Sequence, residues 1–512
     1  MCCAVNLDDE PQSAVPALRI SRCNRAPVRG DGQYVLYWMI AARRAHHNFA
    51  LDRALDWAEH LGRPLLVLEA LRAGYRWASD RLHRFALDGM ADNAKAFERG
   101  PIGYYPRVES NAGADAGLLE ALAEHACLIV TDEYPCFFLP RLVSAAALRV
   151  GVALEQVDGN GLMPLRAPGR VFTTAFSLRA WQRKQLRPHL AQAPRADPLA
   201  RRKLSPFGRV PAAIGARWPV ASPALLEAGS ARALAQLPID HSVAIAPLTG
   251  GSAAGAQRLK RFLGRELAHY PERRNHPDAD AGSSLSPYLH FGHVGAHQTL
   301  AALAAHEDWS PQRKPRPVAA GEPFWGTTPA AEAFLDQLVT WRELGFNFCH
   351  HRDDYAQYAS LPDWSRRTLA LHASDPRPER YTLAELEQAA TADPVWNAAQ
   401  RQLLREGRLH NYLRMLWGKK ILEWSETPEQ ALEHMIVLND KYALDGRDPN
   451  SYSGIGWVLG RYDRPWGPER KIFGSVRYMT SQSALRKLKM KRYLERYGEE
   501  ARNGELFDRA GE

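Results

Sequence analysis

The sequence predicts two differently built parts, an α/β region with a parallel sheet and a following region made of helices alone. Short apolar runs alternate with helical stretches in the N-terminal part of the 512-residue chain. A Pro-, Ala- and Arg-rich stretch without clear periodicity follows, and helical periodicity dominates beyond it. We therefore predict an α/β domain over residues 30–195, a connector over 196–245 and a helical domain over 246–500.

Three apolar runs support the α/β prediction. They are Tyr34–Met39, Pro64–Leu68 and Cys127–Thr131, and a helical pattern over residues 51–58 separates the first two. Strands that alternate with helices of this length imply a parallel sheet with crossover helices. Residues 1–32 look irregular.

Helical periodicity defines the C-terminal part. It covers Ala331–Cys349, Leu383–Ala390, Val395–Glu406 and Leu409–Trp424. The Pro- and Gly-rich insert Trp309–Pro329 predicts a surface loop.

Composition narrows the class of protein. Lys and Arg total 66 against 57 acidic residues, a formal net charge of +9, which suits a polyanionic partner but does not establish one. The six cysteines lack metal-ligand or disulfide spacing, which indicates reduced thiols in a cytoplasmic protein. We find no signal segment and no apolar run of membrane-spanning length.

Two polar segments are ambiguous alone. The serines in Gly282–Gly292 precede a helix start, where they would bind a phosphate or simply cap the helix. Asn439–Asn450 surrounds a Gly turn with acidic and amide groups, which fits a turn or a cation loop equally.

The segment Leu409–Trp424 carries an unusual stripe. Asn411, Arg414, Met415 and Gly418 fall on one helical face, which favours a cofactor and substrate face, although Gly418 also suits tight helix packing.

Tryptophans form a second pattern in this region. Trp417 and Trp424 are seven residues apart, and Trp396 starts the preceding helix. The three indoles would relay electrons to a redox cofactor or would simply pack the helices.

Together, these segments resemble the photolyase–cryptochrome superfamily, and specifically the class II DNA photolyases, over nearly the whole chain from Tyr34 to Tyr493. The most specific stretches are Ser284–Gly292, Asp393–Gln400, Arg414–Trp424, Leu438–Asn450, Arg464–Arg470 and Ile472–Met479. Tyr34–Met39, Arg44 and Asn48–Leu51 resemble the opening strand and helix of the family.

The resemblance implies a Rossmann-like α/β domain followed by an all-α FAD-binding domain. The residues that would hold the FAD phosphates are Tyr270, Ser283, Ser284, Leu285 and Ser286. Arg414 and Asp445 would pair over the isoalloxazine ring, and Asn439 would face flavin N5.

In such enzymes, light-excited reduced FAD donates an electron to an extruded cyclobutane pyrimidine dimer, which splits and returns the electron. Trp341 and Trp457 would flank the dimer, and Asn411 and Met415 would line its pocket.

Further residues follow from the same resemblance. Trp417, Trp396 and Trp424 would relay electrons, with Tyr381 assisting. Arg464, Arg470 and Arg477, next to Lys471, would grip DNA phosphates or form an ordinary solvated basic face.

The sequence departs from the family pattern at two places. Gln337 stands where repair enzymes of this class carry Glu, and an amide donates a hydrogen bond but supplies no proton. The pocket lining of Asn411 and Met415 is nevertheless the dimer type, not that of a (6-4) photoproduct enzyme. Ile40–His47 stands where the family usually has a polar run after the first strand. The sequence therefore leaves open whether the protein binds an antenna pigment of the deazaflavin or folate type.

We expect a monomeric, light-driven repair enzyme for ultraviolet-damaged DNA. The alternatives are a cryptochrome-like blue-light photoreceptor with reduced or lost repair, which Gln337 favours, and a flavin-binding DNA protein without photochemistry. We expect no metal site.

Overall fold

The computed structural model describes residues 10–200, 202–227, 231–310 and 324–499. Cys2, Cys3 and residues 311–323 of the predicted surface loop lie outside this part. Within it the chain divides into two compact units, the first made of residues 10–169, 182–260 and 285–310, the second of residues 170–181, 261–284 and 324–499. Each unit combines separate chain segments. The domain boundaries expected at residues 195 and 245 stay a prediction.

The first unit contains a six-stranded sheet. Its strands are β1 (Ile20–Arg22), β2 (Tyr34–Met39), β3 (Leu65–Leu71), β4 (Gly103–Val108), β5 (Ala126–Glu133) and β6 (Ala153–Asp158). The spatial order is β1-β6-β5-β2-β3-β4, and all neighbours are parallel except β1 and β6. The predicted α/β architecture is confirmed. Strand β1 corrects the expectation that residues 1–32 are irregular throughout.

Twelve α-helices begin before residue 310 in the described part of the chain. They are α1 (Phe49–Leu61), α2 (Asp80–Phe97), α3 (Leu118–Ala123), α4 (Leu139–Ala147), α5 (Ala175–Leu190), α6 (Ala212–Arg217), α7 (Pro223–Leu226), α8 (Ala231–Leu234), α9 (Ser252–Arg261), α10 (Tyr270–Arg273), α11 (Ser286–His290) and α12 (Ala296–His306). Short 3-10 or π-helical turns cover Ala17–Arg19, Phe262–Glu266, Leu267–His269 and Pro277–Ala279.

Ten further α-helices follow in the described chain, all in the second unit. They are α13 (Pro329–Leu335), α14 (Arg342–His351), α15 (Asp363–Leu371), α16 (Leu383–Glu387), α17 (Pro394–Glu406), α18 (Asn411–Trp424), α19 (Pro428–Tyr442), α20 (Pro449–Val458), α21 (Ser481–Lys487) and α22 (Lys491–Tyr497). A π-helical turn, Asp336–Trp341, joins α13 to α14, and a 3-10 turn covers Tyr358–Ser360.

Both faces of the sheet are covered, which explains the continuous apolar strands. Along β2, Val35 and Tyr37 enter one hydrophobic cluster, whereas Leu36 and Trp38 enter another. Successive side chains of a strand point to opposite faces, so every β2 residue is buried.

The carboxylate of Asp132 on β5 binds the backbone that follows β2. It accepts hydrogen bonds from the backbone N–H groups of Ile40, Ala41 and Ala42, at 2.9, 2.8 and 2.9 Å, and from the Tyr37 hydroxyl at 2.8 Å. Strand order reverses between β2 and β5, the point where open α/β sheets usually bind ligands.

The described residues of the predicted connector belong to the first unit. Phe207 and Val210 pack on the hydrophobic cluster of one sheet face, and Arg202 pairs with Asp56 of α1 at 2.9 Å.

The second unit is helical, as predicted. Helix α14 packs on α20, and α18 packs on α17, α19 and α20. Helix α18 begins at Asn411, two residues later than the pattern indicated, and α16 ends at Glu387.

Two further findings concern the described residues as a whole. None of their helices is both long and apolar enough to cross a membrane. The cysteines among them, Cys23, Cys127, Cys136 and Cys349, form no disulfide.

Candidate active site

A polar cluster surrounds Arg414 on α18. Its Nη2 donates to both Asp445 oxygens, at 3.1 and 3.2 Å. Its Nη1 lies 3.4 Å from Oδ1 of Asn439 and 3.5 Å from Oγ of Ser451. The side chains of Arg414 and Asp445 are 24% and 14% exposed, so the pair is half-buried but reachable by a ligand.

Asp440 fixes the amide of Asn439. Nδ2 of Asn439 donates to Oδ1 of Asp440 at 3.1 Å, while the Tyr452 hydroxyl and the Arg447 backbone N–H donate to the same carboxylate. Burial raises the pKa of Asp440 above its ordinary value. Sequence reasoning missed Asp440, although it follows Asn439 directly in the motif.

Two tryptophans of the second unit stack on each other. Trp341 ends the π-helical turn, and Trp457 lies on α20. Their ring centroids are 4.8 Å apart with planes inclined by 16°. Helix α20 also carries Ser451, so one helix links the aromatic pair to the Arg414 cluster.

Two side-chain amides predicted to touch the substrate find no hydrogen-bond partner in the described part of the chain. Gln337 is half-buried in the π-helical turn, and Asn411 is exposed at the start of α18. Neither side-chain amide forms a hydrogen bond with another described residue. Met415, one turn beyond Asn411, is half-buried. These side chains are therefore available to a ligand.

The three predicted relay tryptophans form a contact chain. Trp417 and Trp396 are stacked with centroids 6.4 Å apart, and Trp396 meets Trp424 edge-on at 5.4 Å. Trp424 then meets Tyr381 at 5.0 Å. The Trp417 indole donates to Oε1 of Gln400 at 2.9 Å. These ring contacts arrange the three tryptophans in a sequence that the amino-acid sequence alone left open.

Next to Trp417, Gly418 and Lys419 serve helix packing. A Cβ on Gly418 would lie 2.6 Å from Val458 and 2.9 Å from Met435. Lys419 is fully buried and donates to the Val458 carbonyl, and burial lowers its pKa to about 7. Of the two interpretations of Gly418, the structure supports tight packing.

The predicted phosphate-binding residues fall in both units. Tyr270 is buried in the second, with its ring edge-on to Phe262 and Phe334, and burial raises its pKa. Ser283 and Ser284 are half-buried there, and Ser284 has a positive φ of 52°. Leu285, buried, and Ser286, exposed, belong to the first unit.

The predicted basic residues differ in their surroundings. Arg477 donates twice to Asp463, at 2.9 and 3.2 Å, whereas Arg464, Arg470 and Lys471 are exposed. Sequence reasoning missed Trp466. Trp466 is 36% exposed, and the guanidinium groups of Arg464 and Arg477 lie over its ring, 4.9 and 4.1 Å from the centroid.

Comparison with curated proteins identifies the family. A deoxyribodipyrimidine photo-lyase of Methanothermobacter thermautotrophicus is 33% identical over 485 residues, 94% of this chain and 98% of that protein. The chain belongs to the deoxyribodipyrimidine photo-lyase family. Proteins of the same name from Potorous tridactylus and Arabidopsis thaliana are 32% and 31% identical over 90% of the chain, and cover 80% and 88% of those proteins. No protein-family model matches the chain.

Solved structures agree at the level of the fold. A class III photolyase of Agrobacterium tumefaciens has a TM-score of 0.62 at 16% identity, covering 91% of this chain and 86% of that one. A Synechocystis cryptochrome has a TM-score of 0.63 at 14% identity, covering 91% and 88%.

The family, the enzyme class and the fold predicted from the sequence are confirmed, and the family binds FAD. The class II assignment and the roles of individual residues stay predictions.

Proposed function

We propose that this protein splits cyclobutane pyrimidine dimers in ultraviolet-damaged DNA, using light and bound reduced FAD. The observation that carries the proposal is the junction at α20. There Ser451, 3.5 Å from Nη1 of Arg414, and Trp457, stacked on Trp341, lie on the same helix. Helix α20 therefore touches both the polar cluster and the aromatic pair.

The polar cluster fits a flavin. Arg414 supplies a fixed positive charge, and the Asn439 amide beside it is held by the buried carboxylate of Asp440. Removing Asp445 would leave the arginine unpaired in a half-buried site, which is costly. Tyr270, Ser283, Ser284, Leu285 and Ser286 would hold the phosphates. When bound, FAD supplies the light-excited electron that opens the cyclobutane ring.

The substrate residues bind a lesion that has left the duplex. Extrusion is cheaper for a damaged pair, because it stacks and pairs poorly. Trp341 and Trp457 offer aromatic surface, Met415 adapts to the dimer, and the amides of Gln337 and Asn411 donate to base carbonyls. A dimer seated between the two rings would have to part them, since their 4.8 Å separation leaves no space for a third ring.

The tryptophan chain supplies electrons from the protein surface. Its contacts run from half-buried Tyr381 through Trp424 and Trp396 to Trp417, which lies three residues from Arg414. We assign the relay this order, with Trp417 innermost.

The DNA backbone would contact the exposed basic residues. Arg464 and Arg470 suit phosphates, and the exposed Trp466 ring suits a neighbouring base. Arg477 shapes this surface through its pair with Asp463. We place the enzyme in the cytoplasm as a monomer; a deazaflavin or folate antenna stays a prediction.

The decisive experiment uses purified protein with chemically reduced flavin in the absence of oxygen. It is mixed with an oligonucleotide carrying one thymine dimer, and the ultraviolet absorbance of restored thymines is followed in blue light and in darkness. Recovery in light alone is expected. An undamaged oligonucleotide is the control.

The second candidate is a blue-light photoreceptor, which the amide at Gln337 favours. It predicts light-driven flavin reduction without any recovery of thymine absorbance in the same assay.

A further inference from the structure

An ion pair outside the predicted site anchors one of the two stacked tryptophans. The Trp341 indole donates to Oδ2 of Asp336 at 3.1 Å. Arg179 of α5 grips the same carboxylate with two hydrogen bonds, from Nε to Oδ1 at 2.7 Å and from Nη2 to Oδ2 at 3.0 Å. By contrast, the Trp457 indole N–H is buried without a hydrogen-bond partner among the described residues. Asp336 is thus the polar anchor of the pair.

The π-helical turn makes this contact possible. Residues five apart in an α-helix point about 140° away from each other, because a turn takes about 3.6 residues. A π-helix bonds each residue to the fifth one along, so Asp336 and Trp341 lie about one turn apart on the same side. The local backbone therefore sets the carboxylate beneath the indole.

The segment around Arg179 is itself fastened to α14. Oδ1 of Asn347 accepts from the Phe172 backbone N–H at 2.8 Å, and Nδ2 of Asn347 donates to the Arg170 carbonyl at 2.9 Å. Phe172, Leu178 and Leu344 form a small hydrophobic cluster against which Trp341 packs. Arg179 is therefore held in place independently of Asp336.

We propose that Asp336, clamped by Arg179, is a positioning residue that holds Trp341 as the fixed wall of the dimer site, so that Trp457 alone moves when the dimer parts the two rings, and thereby sets the affinity for damaged DNA in darkness. The inference rests on the proposed function, in which this aromatic pair receives the dimer. The side chains of Arg179 and Asp336 are 32% and 31% exposed, so their pair contributes little to global stability. Its removal should leave the fold intact.

The test compares Asp336→Ala and Asp336→Asn with the wild type for dark binding of a dimer-containing and an undamaged oligonucleotide. Loss of one positioned hydrogen bond should weaken binding of the dimer about fivefold in Asp336→Ala. Binding of undamaged DNA should stay unchanged. Asp336→Asn keeps an acceptor for the indole and should lose less. Asp354→Asn, which breaks a bidentate pair with Arg352 elsewhere in the same unit, is the matched control and should lose nothing.

Two readouts separate positioning from a general structural effect. The part of the exciton couplet in circular dichroism that Trp457→Phe removes, which belongs to the Trp341–Trp457 pair, should weaken in Asp336→Ala. Asp336→Ala should also add nothing to the binding loss of Trp341→Phe, since Asp336 acts through that ring.

The possible failures are distinct. A wild-type preference for the dimer that survives in Asp336→Ala, with an unchanged couplet, would overturn the positioning role alone. A wild type that shows no preference for the dimer would overturn the proposed function and this inference with it.

Discussion

In the proposed function, the Gln337 amide would donate a hydrogen bond to the dimer. This half-buried amide has no partner among the described residues and is therefore free to meet a base carbonyl. An amide donates a hydrogen bond, whereas a protonated carboxyl group donates one and can also supply its proton.

We therefore expect Gln337→Glu to raise the quantum yield of dimer splitting. The yield is measured with chemically reduced enzyme and a single-dimer oligonucleotide, at saturating substrate. Asn411→Asp, which places a carboxyl group at the other unpartnered amide, is the comparison. An equal or lower yield in Gln337→Glu would show that the amide suffices.

His293 should make the first unit sensitive to acid. Its Nδ1 accepts the Gly251 backbone N–H at 2.9 Å, so a proton there would set two donors against each other. Burial, reinforced by Arg43 and Arg44, lowers the pKa of this fully buried imidazole from 6.5 to about 3. The unfolded chain takes up the proton below pH 6.5 while the folded chain does not, so stability falls as pH drops through this range.

This group alone should remove about 2 kcal/mol of stability between neutral pH and pH 5. The measurement is the thermal midpoint against pH for the wild type and His293→Asn, whose Oδ1 also accepts the Gly251 N–H. On acidification, the thermal midpoint of His293→Asn should fall less than that of the wild type. The exposed His306 on α12 provides the control, His306→Asn, and an identical slope in all three proteins would contradict the assignment.

Close contact between α14 and α20 holds the two tryptophan-bearing segments together. A Cβ on Gly345 of α14 would lie 2.8 Å from the Pro449 carbonyl and 2.9 Å from Oγ of Ser453. Both neighbours are on α20, so the side chain has no space without a shift of one helix.

Gly345→Ala should therefore destabilise the protein by about 1–3 kcal/mol through overpacking. Gly454→Ala is the matched control on α20, because its Cβ would meet nothing within 4 Å. It should leave stability unchanged or raise it by up to about 1 kcal/mol, since alanine favours helix. The test is the denaturant concentration at the midpoint of unfolding for both variants. Equal midpoints would refute the packing argument.

Helices α17 and α18 together position the three tryptophans of the proposed relay, which predicts a separation of two activities. Trp417→Phe should slow light-driven reduction of the bound flavin, because it removes the innermost indole. Dimer splitting by chemically reduced enzyme should stay within about twofold, as substitutions outside the reacting groups usually have small effects. Trp364→Phe on α15 is the control. Loss of both activities in Trp417→Phe would place Trp417 in the splitting step.

Helices and strands with a clear local pattern were predicted well from the sequence. Contacts between residues far apart in the chain were predicted poorly. The apolar run at Tyr34–Met39 and the helix α17 agree with the structure within one residue. Burial on both faces leaves a continuous apolar run in a strand, and burial of one stripe leaves a helical period. Strand β4 escaped notice because Pro106 interrupts it, and β6 because acidic and amide residues alternate with apolar ones.

The candidate site shows the same division. Arg414, Asn439 and Asp445 could be found because they lie in long motifs. The bond between Arg179 and Asp336 joins residues 157 positions apart, and no periodicity encodes it. The π-helical turn was likewise invisible, since its residues fit an α-helical pattern.

The charge of the chain as a whole bears on its affinity for DNA. If the exposed Arg464 and Arg470 contact DNA as proposed, they and the net charge of +9 would release counterions from phosphates on binding. Dark affinity for the damaged oligonucleotide should therefore fall steeply with salt, by roughly tenfold or more between about 50 and 200 mM.

Arg470→Gln should lower the slope of log affinity against log salt by about one, because it removes one phosphate contact. Arg232→Gln, a change of the same charge on exposed α8 in the first unit, is the control and should leave the slope unaltered. Equal slopes for Arg470→Gln and the wild type would remove Arg470 from the DNA surface.

The Asp132 carboxylate competes with any external anion for the backbone N–H groups that follow β2. Three successive backbone N–H groups at the end of a central strand would suit a nucleotide phosphate, yet a tethered anion already occupies all three. An external phosphate would have to displace a group whose effective concentration is about millimolar or higher. While Asp132 holds these three N–H groups, they are not free to bind an external phosphate.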